Sequence, residues 1–339
     1  MQLERIIVVA ALALLSAFFQ IVPGLTRVDL FFSVTVEAEF RRTAEARRIL
    51  RNFRVMVWVA TLAAMALELT TGLVLVALAI QAAGYLAGLV AGHHRALAFA
   101  AHPESPVEVD LRAPVEKLPG GVLAAALPIL FLGALGVWTA MNWERLPQRV
   151  PVHWGLQAPD GWVTTTPAAV AGVFGLLASL CLFMAGAAWG LLHWSRRIST
   201  SGARAASERR FRGRIVRLLI VVEYFVVAPA CFTVWQVPIA VVNAWALALT
   251  ATILGFAISL IRAGQGGDKE AAVSHAPTGD RTPDSCWKWG VFYYNPADPA
   301  VFIEKRFGVG YTVNFGNGWS WTVLGLILIP VAVALIALR

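Results

Sequence analysis

Eight stretches of this chain, near residues 6–22, 55–70, 73–91, 121–141, 168–194, 218–237, 241–261 and 319–338, are apolar over a length that carries an α-helix across a bilayer. Inside hydrocarbon a backbone must satisfy its own hydrogen bonds, so such stretches fold as helices. Of the 339 residues, 58% are hydrophobic and 14% charged, a balance outside the soluble range. The expectation is an all-α polytopic membrane protein with about eight transmembrane helices. Thr70-Thr71-Gly72 and Pro238 each break a pair of spans into a helical hairpin, and Thr166-Pro167 offers a capping hydroxyl followed by proline at the first helical position.

Charge sets the expected orientation. The connections at 23–54, 92–120, 195–217 and 262–318 hold 24 of the 28 Lys and Arg residues, whereas the other side holds Arg5, Arg145, Arg149 and Arg339. Cytoplasmic loops retain positive charge, so both termini and the 142–167 loop are expected outside the cytoplasm and the four basic connections inside. A cleaved signal peptide at 1–22 would reverse this division, and no small-residue cleavage site follows it. The net charge of +8 sits in blocks beside apolar runs, the pattern of membrane flanks, so nucleic acid is not an expected partner. Cys181, Cys231 and Cys286 lie far apart and form neither a disulfide framework nor a zinc pattern.

Within the basic connections, residues 41–54 carry Ile49 and Phe53 among six arginines and read as an interfacial helix facing anionic lipid headgroups. Residues 204–217 repeat the theme with Phe211 and Ile215. His93, His94 and His102 stand near Glu104, Glu108 and Asp110, but Pro103, Pro106 and Pro114 remove the regular spacing a metal site needs, so a solvated loop is expected and no metal or cofactor is assigned. Trp138, Trp143, Trp189, Trp194, Trp319 and Trp321 fall at span ends, where an aromatic belt belongs.

Three polar features are candidates for function. The first is the outer loop LPQRVPVHWGLQAPDGW, residues 146–162, in which Pro147, Pro151 and Pro159 restrict the backbone. Pro159-Asp160-Gly161 reads as a tight turn presenting Trp162, with His153 and Asp160 as a titratable pair. The second is intramembrane: Glu68 and Glu223 are the acidic residues placed inside spans, where a carboxylate is costly unless paired, protonated or wet. Were their helices to face each other, Gln81, Tyr85 and Asn243 would join them in a polar interior. The third is the segment 285–318, in which Tyr311, Val313 and Phe315 alternate with polar residues as a half-buried strand does. It reads as a cytoplasmic aromatic module of two or three short strands beneath the bundle, with candidate residues Trp287, Lys288, Trp289, Tyr293, Asn295, Asp298, Glu304, Lys305, Arg306 and Asn314. Gly308, Gly310, Gly316 and Gly318 lack the strand-to-helix context of a phosphate loop and are expected at turns. The layout is therefore helices one to three at 1–119, helices four to seven at 120–261, a flexible linker at 262–284, the module at 285–318 and the last helix at 319–339.

The motif around His153 resembles the LPxxVPxHW…G.PDGW signature of a bacterial membrane domain of unknown function found in SdpI-like proteins, and Ala158 stands where that pattern usually has Gly. The run WKWGVFYYNPADPAVFIEKRFGVGYTVNFGN is similar to a second bacterial domain of unknown function that often accompanies it. The resemblance implies a bacterial plasma-membrane location and, through SdpI-like relatives, immunity to or sensing of an extracellular peptide. It carries over to Pro151, His153, Trp154, Pro159, Asp160 and Trp162 as ligand-binding positions. The expected function is ligand binding at this loop, with the lipid bilayer, an extracellular peptide or small ligand, and a membrane protein as partners. A proton-coupled transporter using Glu68 and Glu223, and an accessory subunit of a larger complex, are the alternatives. Enzymatic use of His153 as a base oriented by Asp160 is the weaker reading, because one His and one Asp are too few for a metal site and no further group completes a catalytic set.

Overall fold

A computed structural model of the chain describes residues 2–101, 116–195, 202–270 and 282–337. It contains helices α1 (Gln2–Ile21), α2 (Ala44–Thr71), α3 (Val74–Ala96), α4 (Gly121–Met141), α5 (Pro167–His193), α6 (Gly202–Val226), α7 (Ala228–Trp235), α8 (Ile239–Ala263) and α9 (Gly318–Ala337). Four antiparallel strand pairs accompany them: β1 (Leu30–Phe31) with β2 (Val34–Thr35), β3 (Arg149–Trp154) with β4 (Pro159–Thr164), β5 (Trp287–Lys288) with β6 (Phe292–Tyr293), and β7 (Phe302–Glu304) with β8 (Tyr311–Val313). Among the described residues, seven helical segments are long and apolar enough to cross a membrane, so the chain is an all-α multi-pass membrane protein with small strand pairs. The eighth expected span coincides with α9, a helix of 20 residues. The sixth does not begin at 218: α6 rises unbroken from Gly202, and the helix breaks at Val227 ahead of Pro229 in α7.

The chain divides into two compact units. The first takes in residues 1–111, 196–208 and 261–317. Here α2 buries Ala46, Ile49, Phe53, Val57, Thr61, Ala64 and Glu68, one helical stripe, and ends at Gly72, whose left-handed φ of 71° turns the chain into α3. Gly84 permits the α2–α3 approach, since a Cβ there would lie 2.1 Å from the Ala60 Cβ. In residues 41–54 the apolar pair and Arg41 face the protein, while Arg42, Arg47, Arg48, Arg51 and Arg54 are exposed. Thr43 caps α2, and Ile49 and Phe53 point into the protein against Phe32 and Phe307. Arg41 donates to the carbonyls of Val28, Pro23, Arg27 and Leu30, so it clamps a loop rather than reaching for headgroups.

The clamped loop forms β1–β2, a hairpin with Phe32 and Ser33 at its turn, both in the left-handed region at φ 46° and 67°. Neither is glycine, so each position costs about 1–2 kcal/mol, and the surroundings hold them there. His93 Nδ1 donates to the Phe32 carbonyl at 2.9 Å, and the Ser33 Oγ donates to the Gly290 carbonyl at 2.6 Å. Arg306, fully buried, donates to the Ser33 carbonyl at 2.9 Å and pairs with Asp284, which in turn accepts from the Thr35 backbone and hydroxyl. The aromatic module is thus part of the same unit as α1–α3. The linker reading of 262–284 fails over its first part: Gln265 is buried, with its side-chain amide exchanging two hydrogen bonds with the Gly310 backbone, and Ser207 donates to the Gly267 carbonyl. The rest of that segment, 271–281, lies outside the described residues.

The second unit takes in residues 112–195, 209–260 and 318–339. Its core is built from Leu132 and Leu135 of α4, Val173, Leu177 and Cys181 of α5, and Val227 and Ala230 at the α6–α7 break. Helix α9 packs on α5. Arg212 is buried and meets Glu116 at 2.6 Å, so the basic start of α6 also turns charge inward.

Candidate functional site

Strands β3 and β4 form the outer-loop feature singled out in the sequence, and they correct one part of it. Pro159-Asp160-Gly161 is the start of β4, not the turn; the reversal is made by residues 155–158, closed by the Gly155 N–H to the Ala158 carbonyl at 3.0 Å. Proline is tolerated at the first residue of a strand, where no ladder donor is required. The register sets Pro151 against Trp162, His153 against Gly161 and Trp154 against Pro159, with irregularities on either side of His153. Gly161 is needed opposite His153: a Cβ there would stand 2.7 Å from the His153 Cβ.

This geometry brings His153 and Asp160 together, with Nδ1 and Oδ1 at 2.5 Å. An ionised carboxylate only accepts, so Nδ1 is the donor of this bond, and in the neutral ring Nε2 is then the acceptor nitrogen. Both side chains are exposed, at 73% and 56%, and Trp162 is half exposed beside them. The base of the hairpin is fixed to its own unit. Val150 is buried, buried Thr233 of α7 donates to the Pro151 carbonyl at 3.0 Å, Asn243 of α8 donates to the Leu156 carbonyl at 2.9 Å, and Trp154 meets Phe232 edge-on. The hairpin therefore offers a polar pair on a rigid mount. Between α4 and α5 of the same unit lies an apolar groove of about 560 Å³, lined by Leu132, Gly136, Phe174 and Ala178 and reaching Trp143 and Pro167 at the two ends of the loop.

Two family models match this chain. A domain of unknown function (DUF1648) matches residues 129–177, which covers the hairpin with the later part of α4 and the earlier part of α5, and a family of unknown function (DUF5808) matches residues 296–321. No curated protein and no solved structure matches it.

The other sequence candidates fall elsewhere. Glu68 is buried in the first unit and Glu223 in the second. Gln81 donates to the Leu12 carbonyl and Thr61 hydroxyl, and Tyr85 stacks on Phe19, whereas Asn243 serves the hairpin. In the module, Tyr293, Asn295, Asp298 and Asn314 bond to one another in a partly buried knot. Trp287 is buried with its indole N–H on Thr282, Glu304 and Arg306 are buried, and Lys288 donates to the Ser285 carbonyl. These residues build the module. Lys305 pairs through its backbone with Gly310, and Trp289 stands exposed at the β5–β6 turn. Of the loop at 92–120, His93 is structural, and His102, Glu104, Glu108 and Asp110 lie outside the described residues. Sequence reasoning passed over the Thr35–Asp284–Arg306 network and the Phe32-Ser33 turn, because no Asn-Gly or Asp-Gly pair marks that hairpin.

Proposed function

We propose that this membrane protein is a ligand-binding protein of the sensing or immunity type, with the β3–β4 hairpin as its extracytoplasmic binding element. The observation that carries this reading is the His153–Asp160 hydrogen bond on a hairpin anchored to α7 and α8. Asp160 orients the ring and leaves Nε2 free to accept from a ligand N–H or O–H, while Trp154 and Trp162 flank it with amphipathic surface. Catalysis is less well served, since the exposed pair has no water-excluding wall around it. The resemblance to SdpI-like proteins supports a peptide as ligand, and the Lys and Arg distribution supports placing the hairpin outside a bacterial plasma membrane. Purification from native membranes, with mass spectrometry of what stays bound, tests the reading. A peptide or small molecule present with wild type and lost from His153→Ala is the expected result; an unchanged set of bound species sinks it.

A transport reading has one observation in its favour. Glu223 is fully buried, and neither carboxyl oxygen has a hydrogen-bond partner. An unpaired acid inside a span is costly and marks a candidate ion or proton path. Reconstituted vesicles under a proton gradient, compared with Glu223→Gln, test it: equal proton flux in both removes this reading.

A further inference from the structure

The β5–β6 hairpin has one face turned into the module and one turned out. Trp287 and Tyr293 pair across the strands and are buried. Side chains alternate along a strand, so Phe292 and the residues flanking the pair belong to the outer face, which a water-facing module would make polar. Here it is aromatic: Trp289 is 61% exposed, Tyr294 48% and Phe292 40%. The Phe292 ring makes edge contacts with both Trp289 and Phe315, at centroid distances of 6.1 and 5.2 Å, so the rings form one continuous patch. A contiguous exposed aromatic patch marks a surface with an occupant.

Where the hairpin sits identifies that occupant. Gly290, next to Trp289, lies against the ring of His93, where a Cβ would come within 2.8 Å. His93 belongs to the last turn of α3, a membrane-spanning helix of 23 residues. At 1.5 Å per residue this helix is about 35 Å long, slightly more than the roughly 30 Å of hydrocarbon. Its last turn therefore falls where hydrocarbon gives way to headgroups, and Trp289 lies at that level. Trp289 also holds a left-handed φ of 56° in the turn. Indole and phenol rings, apolar in body with a polar tip, are suited to this layer, and Lys288, directly across from Phe292, adds positive charge for lipid phosphate.

We propose that Trp289, Phe292 and Tyr294 form a membrane anchor, by which the aromatic module lies in the headgroup layer of the bilayer rather than standing in water. The proposal rests on the membrane-spanning character of α3 and is independent of the role of the β3–β4 hairpin. Full-length protein in lipid nanodiscs, with Cys181, Cys231 and Cys286 replaced by serine and Trp289→Cys carrying an environment-sensitive fluorophore, tests it. Quenching is measured with phosphatidylcholine spin-labelled near the headgroup and with aqueous iodide. Strong quenching by the spin-labelled lipid and weak quenching by iodide is the expected result. Iodide quenching as strong as for the label on the denatured chain overturns the proposal in favour of a water-exposed module. Protection from both quenchers overturns it in favour of a protein surface, such as a second copy, covering the patch.

Discussion

The Oγ of Ser33 donates to the carbonyl of Gly290 at 2.6 Å, joining two tight turns separated by 257 residues. Ser33 and Gly290 both occupy the left-handed region, and Arg306 closes the junction by binding the Ser33 carbonyl and Asp284. A short loop near the N-terminus and the aromatic module near the C-terminus are thereby one folded object.

Arg306→Leu leaves the partly buried Asp284 beside Thr35 without its fully buried cation, and breaking a buried pair in this way costs up to about 3–5 kcal/mol. Thermal unfolding in detergent should show a large loss for this variant. Arg306→Lys should lie between the two, because it keeps the charge and loses the fork that reaches Ser33 and Thr282.

Gly290→Ala should also destabilise, for a different reason. The position has φ 74°, and the added methyl would press on the His93 ring at 2.8 Å. A loss of about 1–2 kcal/mol from backbone strain alone is expected. Unchanged stability would mean that the turn does not sit against α3.

Thr233→Val removes the donor to the Pro151 carbonyl and leaves a buried acceptor bare, worth about 1–3 kcal/mol. Hydrogen exchange should quicken in β3 and β4 while α2 and α3 stay protected. If both units loosen equally, the hairpin is not held by α7 in the way described.

The hairpin residues should separate binding from stability. His153→Ala and Asp160→Asn alter an exposed pair worth about 0–1 kcal/mol, so the melting temperature should hold while ligand retention falls. Gly161→Ala, which leaves both side chains in place but crowds the His153 Cβ, should weaken retention too.

How far the sequence spoke differs by element. Apolar runs announce the spans, since length and hydropathy are properties of a single segment, and Gly72 at the α2–α3 turn is legible for the same reason. The His153–Asp160 pair was legible as two residues in one proline-restricted loop, though not its register: Pro159 opening a strand and Pro159 opening a turn have the same local sequence. Arg41 and Arg212 read as parts of headgroup-facing segments and Arg306 as a residue of the module alone, because nothing local shows that Leu30, Glu116 and Asp284 would meet them. Long-range pairing is decided by packing, and it was there that charge patterning misled.

The most direct test of the binding hairpin is photo-crosslinking in living cells. Leu156, at the hairpin tip and 67% exposed, is replaced by a photoreactive amino acid, with His153 intact or changed to Ala. The expected result is a discrete extracytoplasmic adduct that depends on His153. Adducts that are absent, or identical with and without His153, would contradict the assignment of this hairpin as the ligand site.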